Sequence, residues 1–161
     1  MAPENKIKAA FLYNFAKLCE WPTNAFPTAS TPLIIAVLGD DPFGAVLDQI
    51  VDGRRIDGRK VAVRRFARVE EVVTCHVLYL SESAPADLPA TLAALAGRPI
   101  LTVGESELFA RSGGIIRLVK RDQVIGFEVC PRAATAGQLK LSSKLLALAR
   151  IACPPRREEI R

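Results

Sequence analysis

The spacing of apolar residues predicts an amphipathic helix at the start of the chain. Its apolar positions recur every three or four residues at Ile7, Phe11, Phe15 and Leu18, with Leu12, Ala16 and Cys19 beside them. This pattern predicts a helix over roughly residues 3–19. Trp21-Pro22 ends the element, because the residue before a proline is disfavoured in the α conformation.

Three short apolar runs predict strands that are buried on both faces. They occupy residues 33–38, 77–80 and 100–103, and unbroken runs of this kind are typical of parallel strands covered by helices. Helical patterns lie between them, from Phe43 to Ile50 and from Leu88 to Leu95, and Gly97 closes the second. Residues 60–66 alternate apolar and basic side chains, as an edge strand would. The order predicts an α/β three-layer sandwich around a mostly parallel sheet.

The last third of the chain has a different pattern. Residues 115–119 and 124–129 flank a polar stretch, which predicts a C-terminal antiparallel hairpin. A two-residue turn at Arg121-Asp122 gives one apolar face, with Leu118 opposite Ile125 and Ile116 opposite Phe127. The other face then carries Arg117 diagonal to Glu128. A terminal helix follows, with Leu141, Leu145, Leu148 and Ala152 on one stripe.

Length and composition predict one domain. The chain has 161 residues, half of them hydrophobic, which is enough for a single core. We assign the domain to residues 6–153 and expect residues 1–5 and 154–161 to be flexible ends. The longest apolar run is far shorter than the ~20 residues of a membrane-spanning helix. The first residues lack the pattern of a signal peptide, so they look like the start of a mature or trimmed chain.

Most of the excess positive charge lies in one segment. The formal net charge is +5, and seven basic residues fall within residues 54–68. Such a cluster could hold phosphates or an acidic partner surface, or be a solvated strand edge. We expect no nucleic-acid binding, because only Phe66 interleaves with the basic residues and no recognition motif accompanies them.

The four cysteines are disulfide candidates. Cys19, Cys75, Cys130 and Cys153 are far apart and lack the close pairs of a zinc site. An even number suits an oxidising compartment, and three complete pairings are possible. Four scattered thiols of a cytosolic protein are the alternative that composition leaves open.

The sequence carries no recognisable catalytic constellation. His76, the only histidine, adjoins Cys75 on a predicted strand, where neighbouring side chains point to opposite faces and cannot converge. We therefore predict a structural histidine, no enzyme activity, no metal and no cofactor. Loops at the carboxyl ends of the parallel strands are the default place for a small ligand in such a sheet. The residues there that we assign to a ligand site are Asp40, Asp41, Ser81 and Glu105.

Glu128 interrupts an apolar strand and suggests a contact surface. One interpretation is a surface ion pair with Arg117, which would contribute about 0–1 kcal/mol. The other is a half-buried polar anchor in a partner-binding patch. On the second interpretation the predicted partner-binding residues are Ile116, Arg117, Phe127 and Glu128.

Several segments, in the same order, resemble the YfiR family of bacterial proteins. The most distinctive is KAAFLYNFAKLCEWP at residues 8–22. Others are VLGDDPFG at 37–44, CHVLYL at 75–80, PILTVGE at 99–105, FARSGGII at 109–116, FEV at 127–129 and LKLSSKLL at 139–146. The similarity covers about residues 6–151.

This resemblance implies a periplasmic, non-enzymatic regulator with a Rossmann-like fold that often forms homodimers. It implies that the partner is the periplasmic domain of a YfiN-type diguanylate cyclase, which the regulator represses. A YfiB-type outer-membrane lipoprotein would relieve the repression, and the output would be cyclic-di-GMP and biofilm formation. Related domains also act as sensors for other signalling proteins, so a small-molecule-binding sensor is the alternative.

The cysteine pattern departs from that family. Cys75 fits a familiar position, whereas Cys130 stands where the family has a short polar or apolar residue, and residues 111–118 contain no cysteine. The redox-sensitive pair of some relatives is therefore not carried over to this chain.

Overall fold

The computed structural model describes residues 3–82 and 87–154, which form a mixed α/β fold. Its helices are α1 (Pro3–Lys17), α2 (Ala45–Val51), α3 (Leu88–Leu95), α4 (Glu107–Arg111), α5 (Pro131–Ala136) and α6 (Ser143–Leu148). Its strands are β1 (Cys19–Glu20), β2 (Leu33–Leu38), β3 (Arg55–Ile56), β4 (Arg59–Phe66), β5 (Val77–Leu80), β6 (Leu101–Gly104), β7 (Ile116–Arg121), β8 (Val124–Val129), β9 (Lys140–Leu141) and β10 (Arg150–Ile151).

Eight strands form one mostly parallel sheet, in the order β10-β8-β7-β6-β5-β2-β4-β3. The pairs β7–β8 and β3–β4 are antiparallel, and the others are parallel. β1 and β9 pair separately. This arrangement confirms the predicted α/β class and the mostly parallel sheet.

Buried residues lie on both faces of the sheet. The larger cluster packs α1 and α2 against one face, and the smaller one includes α3 and Phe109 of α4 on the other. β2 is buried at all six positions because both clusters use it. The unbroken apolar runs of the sequence thus correspond to strands covered on both sides.

The buried face of α1 differs from the predicted one. Ile7 is 48% exposed, whereas Lys8 is buried. Ala9, Leu12, Phe15 and Ala16 form the buried stripe, so the helix is rotated by about one position. α1 ends at Lys17 rather than near residue 19. It already includes residues 3–5, which we expected to be flexible, while residues 1, 2 and 155–161 lie outside the described part.

The register of the β7–β8 hairpin also differs from the predicted one. Leu118 lies opposite Phe127, and Ile116 opposite Val129, because the turn is at Asp122-Gln123. Both turn residues have positive φ, 50° and 68°, as two-residue hairpin turns of type I′ require.

The terminal helix α6 stops at Leu148, and Ala152 follows β10. α2 spans Ala45–Val51 rather than Phe43 to Ile50. α5 was not predicted; it starts with a proline in its first turn, a position where the missing N–H costs nothing.

Candidate partner-binding surface

The predicted ligand residue Glu105 already has partners within the chain. Lys8 Nζ lies 2.7 Å from Glu105 Oε1 and 2.9 Å from a carboxylate oxygen of Glu4. The Tyr79 hydroxyl donates to the second oxygen of Glu105, and burial raises the pKa of Tyr79. Burial alone would lower the pKa of Lys8, but its hydrogen bonds to the two carboxylates raise it. The cluster is therefore a charged lysine between two carboxylates.

Asp41 is engaged in a similar way. Its Oδ1 accepts from the Phe43 N–H at 2.9 Å, and Arg65 Nε lies 2.6 Å from Oδ2. Asp40 is exposed in the same loop, and Ser81 is half-buried after β5. The Asn5 side chain donates to a carbonyl of this loop at 2.8 Å. The start of α1 thus lies over the edge where we predicted a ligand, and the ligand role of these four residues stays a prediction.

His76 has the geometry of a structural histidine. It is 1% exposed, and its Nδ1 accepts from the Ile34 N–H at 3.0 Å. Nε2 lies 2.9 Å from the Ala25 carbonyl oxygen, so the proton of the neutral ring is on Nε2. Phe26 stacks on the ring at 4.3 Å between centroids. Desolvation lowers the pKa of His76, which favours this neutral form.

The cysteines divide into one disulfide and two buried thiols. Cys130 and Cys153 are bonded, with their Cα atoms 4.7 Å apart. Cys19 and Cys75 are free, and burial raises the pKa of each to about 12. A thiol that stays protonated at neutral pH is a poor nucleophile. The described part of the chain also brings together no group of three metal-ligating side chains.

The β7–β8 hairpin has one buried face and one open face. Ile116 is fully buried, and Phe127, at 8% exposure, packs edge-on against Phe15 of α1 with centroids 4.9 Å apart. Phe11 contacts the same ring at 5.6 Å. The Ile116 side chain therefore cannot touch a partner in this conformation. Ile116 and Phe127, two of the predicted partner-binding residues, thus lie on the buried face of the hairpin.

The open face carries the other two predicted partner-binding residues. Arg117 lies directly opposite Glu128 rather than diagonal to it, and their side chains form an ion pair at 3.4 Å. Arg121 approaches the second oxygen of Glu128 at 3.7 Å. Arg117 Nε also donates to the Glu105 carbonyl at 3.0 Å. The Glu128 side chain is 14% exposed, so this carboxylate is largely buried between two guanidinium groups.

A groove of about 380 Å³ runs along this face between the hairpin and β10. Its lining residues are Val119, Arg121, Val124, Gly126, Phe127, Glu128, Leu148, Ala149 and Arg150. Val124 is 68% exposed and Leu148 is 70% exposed, so apolar surface faces solvent on both sides. A Cβ added at Gly126 would have no heavy atom within 4 Å. The missing side chain of Gly126 is therefore what leaves the floor of the groove open.

β8 is only partly covered along its outer edge. β10 pairs with it through Arg150–Glu128 and Ile151–Val129 alone. Val124 to Phe127 have no strand partner on that side among the described residues. Open backbone next to an apolar groove is the arrangement that accepts an added strand from a partner.

Sequence reasoning missed the groove itself. Leu148 was assigned to the buried stripe of a longer helix, and Gly126 received no role. The available signal was a glycine inside a strand pattern, which often marks a close approach of another backbone.

Comparisons with known proteins agree with the segments named above. None of the helices that the structure describes has the length and apolar character to cross a membrane. No curated protein matches the chain. A family model described as YfiR/HmsC-like matches residues 5–150, nearly the whole chain. The chain therefore belongs to the YfiR/HmsC-like family.

Proposed function

We propose that this protein is a periplasmic repressor that binds the periplasmic domain of a YfiN-type diguanylate cyclase. Membership of the YfiR/HmsC-like family supports a periplasmic regulator of diguanylate cyclase signalling without catalytic activity of its own. In the proposed pathway, release of the cyclase raises cyclic-di-GMP and promotes biofilm formation. A YfiB-type lipoprotein is the proposed releasing partner, and a homodimer the proposed assembly.

The observation that carries the proposal is the groove on the open face of the hairpin. It combines exposed apolar side chains, Val124 and Leu148, with a desolvated carboxylate, Glu128. An apolar centre with a few fixed polar groups is the usual composition of a protein interface. We assign the contact to Arg117, Glu128 and the groove residues, with Ile116 and Phe127 as their buried support.

Glu128 is suited to direct recognition because two arginines fix its position. Arg117 and Arg121 lie on one strand, and their guanidinium groups approach different oxygens of the same carboxylate. The side chain loses little further conformational freedom on binding, which lowers the cost of forming the complex. A donor of the partner could replace the longer and more exposed contact, that with Arg121.

The decisive variant is Gly126→Leu. The Cβ of a leucine there enters open space, because no heavy atom lies within 4 Å of it, and the rest of the side chain would extend into the groove. Glycine weakens the interior of a strand, and a residue with a side chain does not. We therefore expect the free energy of unfolding of the variant to be unchanged or slightly higher. Binding of the cyclase domain, measured by calorimetric titration, should weaken at least about tenfold, as for the loss of a central contact.

Ala94→Leu is the matched control. Ala94 is exposed on α3, away from the hairpin, and receives the same leucine side chain. We expect this variant to bind the cyclase domain as the wild type does. Unchanged binding by Gly126→Leu would rule out the groove as the contact surface, and no binding by the wild type would rule out this partner.

A second groove supports the alternative of a small-molecule sensor. It encloses about 350 Å³ between α3 and α5, which is within the range of ligand pockets. Leu92, Ile100 and Ile115 line it, and Cys130 of the disulfide lies at its border. If the protein is such a sensor, a metabolite should raise its melting temperature. Ala133→Trp, which would fill the groove, should abolish that increase.

A further inference from the structure

The positive charge of the chain is concentrated on one edge of the sheet. Residues 54–68 contain seven basic side chains and one acidic side chain, Asp57, which gives this segment a formal charge of +6. The whole chain has +5, so the remaining residues together carry −1. This segment comprises β3, the turn after it and β4, the outermost strands on the side opposite β10. The molecule is therefore electrostatically one-sided.

The strand pairing places like charges beside one another. Arg55 lies directly opposite Lys60 in the β3–β4 ladder. Arg64 shares a face with Lys60, because side chains two and four positions apart in a strand point the same way. All three are exposed. Like charges directly opposite destabilise a sheet, so an anion that binds here would relieve a repulsion present in the free protein.

Most of this charge is not neutralised within the described part of the chain. Arg65 is the exception, because it pairs with Asp41 at 2.6 Å and with Asp48 at 2.7 Å. No carboxylate of the described residues lies within 4 Å of the charged groups of Arg55, Lys60 or Arg64. These three are therefore available to an external anion.

The surface lacks what a protein interface requires. The large apolar side chains that are exposed elsewhere in the described chain are absent from residues 54–68. The contact energy of a protein complex comes mostly from buried aromatic and aliphatic anchors. A flat anionic surface needs no such anchor, since each lysine or arginine contributes through its charge alone.

We propose that the β3–β4 edge binds the anionic phospholipid headgroups of a membrane surface. The bound state is peripheral: the cationic edge faces the phosphates, and nothing inserts into the hydrocarbon. This extends the proposed function, because the proposed target is itself held in a membrane. Two-dimensional confinement raises the effective concentration of regulator and target without any new contact between them.

The position of the edge in the sheet suits such an orientation. Five strand spacings separate β4 from β8 in the order of the sheet, and neighbouring strands are ~4.8 Å apart, so the two lie about 24 Å from each other. With β4 on the headgroups, the hairpin groove faces away from the membrane. It stays accessible to a periplasmic domain that projects from the same membrane.

The test is co-sedimentation of the protein with vesicles. We expect the wild type to bind vesicles that contain phosphatidylglycerol at low salt, to be released by high salt, and to ignore vesicles of phosphatidylcholine alone. The double variant Lys60→Glu/Arg64→Glu should bind the anionic vesicles at least about tenfold more weakly, since each cation near such a surface contributes ~1 kcal/mol.

Lys140→Glu/Lys144→Glu is the control, because it makes the same change in net charge at two exposed positions outside the edge. It should bind nearly as the wild type does, and circular dichroism should show that both variants fold. An equal loss of vesicle binding in both double variants would overturn the proposal, since net charge alone would then explain the binding. Absence of wild-type binding at low salt would also overturn it.

The cyclase titration distinguishes this proposal from the proposed function. We expect Lys60→Glu/Arg64→Glu to bind the soluble periplasmic domain of the cyclase with wild-type affinity. If instead it loses that binding while the wild type ignores anionic vesicles, the edge is a protein interface and the lipid proposal is wrong. Failure of vesicle binding alone would leave the hairpin groove and its partner unaffected.

Discussion

Loss of the disulfide between Cys130 and Cys153 should destabilise the protein by an amount that the structure allows us to estimate. The bond closes a loop that contains α5, β9, α6 and β10. Beyond the bond, β10 is held to β8 by two paired residues and by the Ala152 N–H, which donates to the Val129 carbonyl at 2.9 Å. The disulfide is therefore the main restraint on the edge of the sheet beside the groove.

The magnitude follows from the length of that loop. The two cysteines are 23 residues apart, and the chain-entropy estimate for a loop of this size is about 3 kcal/mol at 25 °C. The effect arises largely in the unfolded state, where the cross-link removes conformational freedom. We expect the free energy of unfolding to fall by this amount in Cys130→Ala/Cys153→Ala.

Urea denaturation followed by circular dichroism measures this change. The companion sample is wild-type protein that has been reduced and then alkylated. It lacks the cross-link but retains all four cysteine residues. Alkylation of the reduced, folded protein should modify Cys153, which is exposed, and spare Cys19, Cys75 and Cys130, which are buried. Mass spectrometry should show one modified site, which is enough to keep the disulfide from re-forming.

Cys19→Ala is the control for the loss of a buried sulfur. It removes a thiol that is 5% exposed without breaking a cross-link. A loss below about 1 kcal/mol in the Cys130→Ala/Cys153→Ala variant would refute the reasoning, because the disulfide would then not restrain the unfolded chain as estimated. An oxidised protein that reacts with an alkylating agent at Cys153 would show that the bond does not form.

Three further predictions concern the core and the carboxylate cluster. Gly114→Ala should cost about 2–3 kcal/mol in urea denaturation, because the added Cβ overlaps the ring of Phe109; wild-type stability would contradict this packing. His76→Leu should cost about 1–3 kcal/mol by leaving the buried Ile34 N–H unpaired, and an unchanged melting temperature would argue against that bond. Hydrogen bonds from two lysines lower the pKa of Glu4 to about 2, so its stabilisation is complete above pH 4.5 and is lost as the pH falls through about 2. Glu4→Gln should therefore flatten the stability profile in this acid range, and a profile identical to the wild type would contradict the ion pairs.

The sequence pattern predicted the elements of the sheet better than their register. Apolar runs identified β2, β5 and β6, because strands covered on both faces carry few polar side chains, Thr102 of β6 being one. The hairpin was predicted with Ile116 opposite Phe127, whereas its partner is Val129. A shift of two residues keeps every side chain on the same face. The apolar pattern therefore fits both registers, and only the turn at Asp122-Gln123 distinguishes them.

The candidate site was predicted only in part, because it depends on contacts between distant elements. Arg117 and Glu128 could be assigned to one face of a hairpin from alternation alone. The apolar pattern of a strand does not show which other element packs over its end. The contact of Lys8 with Glu105 could therefore not be predicted. Leu148 looked buried because the helix was expected to continue. The first error concerns tertiary packing, and the second concerns the point at which a helix ends.

The difference between the two edges of the sheet limits how copies of this chain can associate. An edge that carries Arg55, Lys60 and Arg64 repels an identical edge, since like charges on neighbouring strands would face one another. Among the strands of the described part of the chain, pairing between identical edges is therefore left to the β8–β10 edge. When both copies must use the same edge, the contact has two-fold symmetry and no free edge of that kind is left. Pairing between identical edges of this protein therefore stops at two copies.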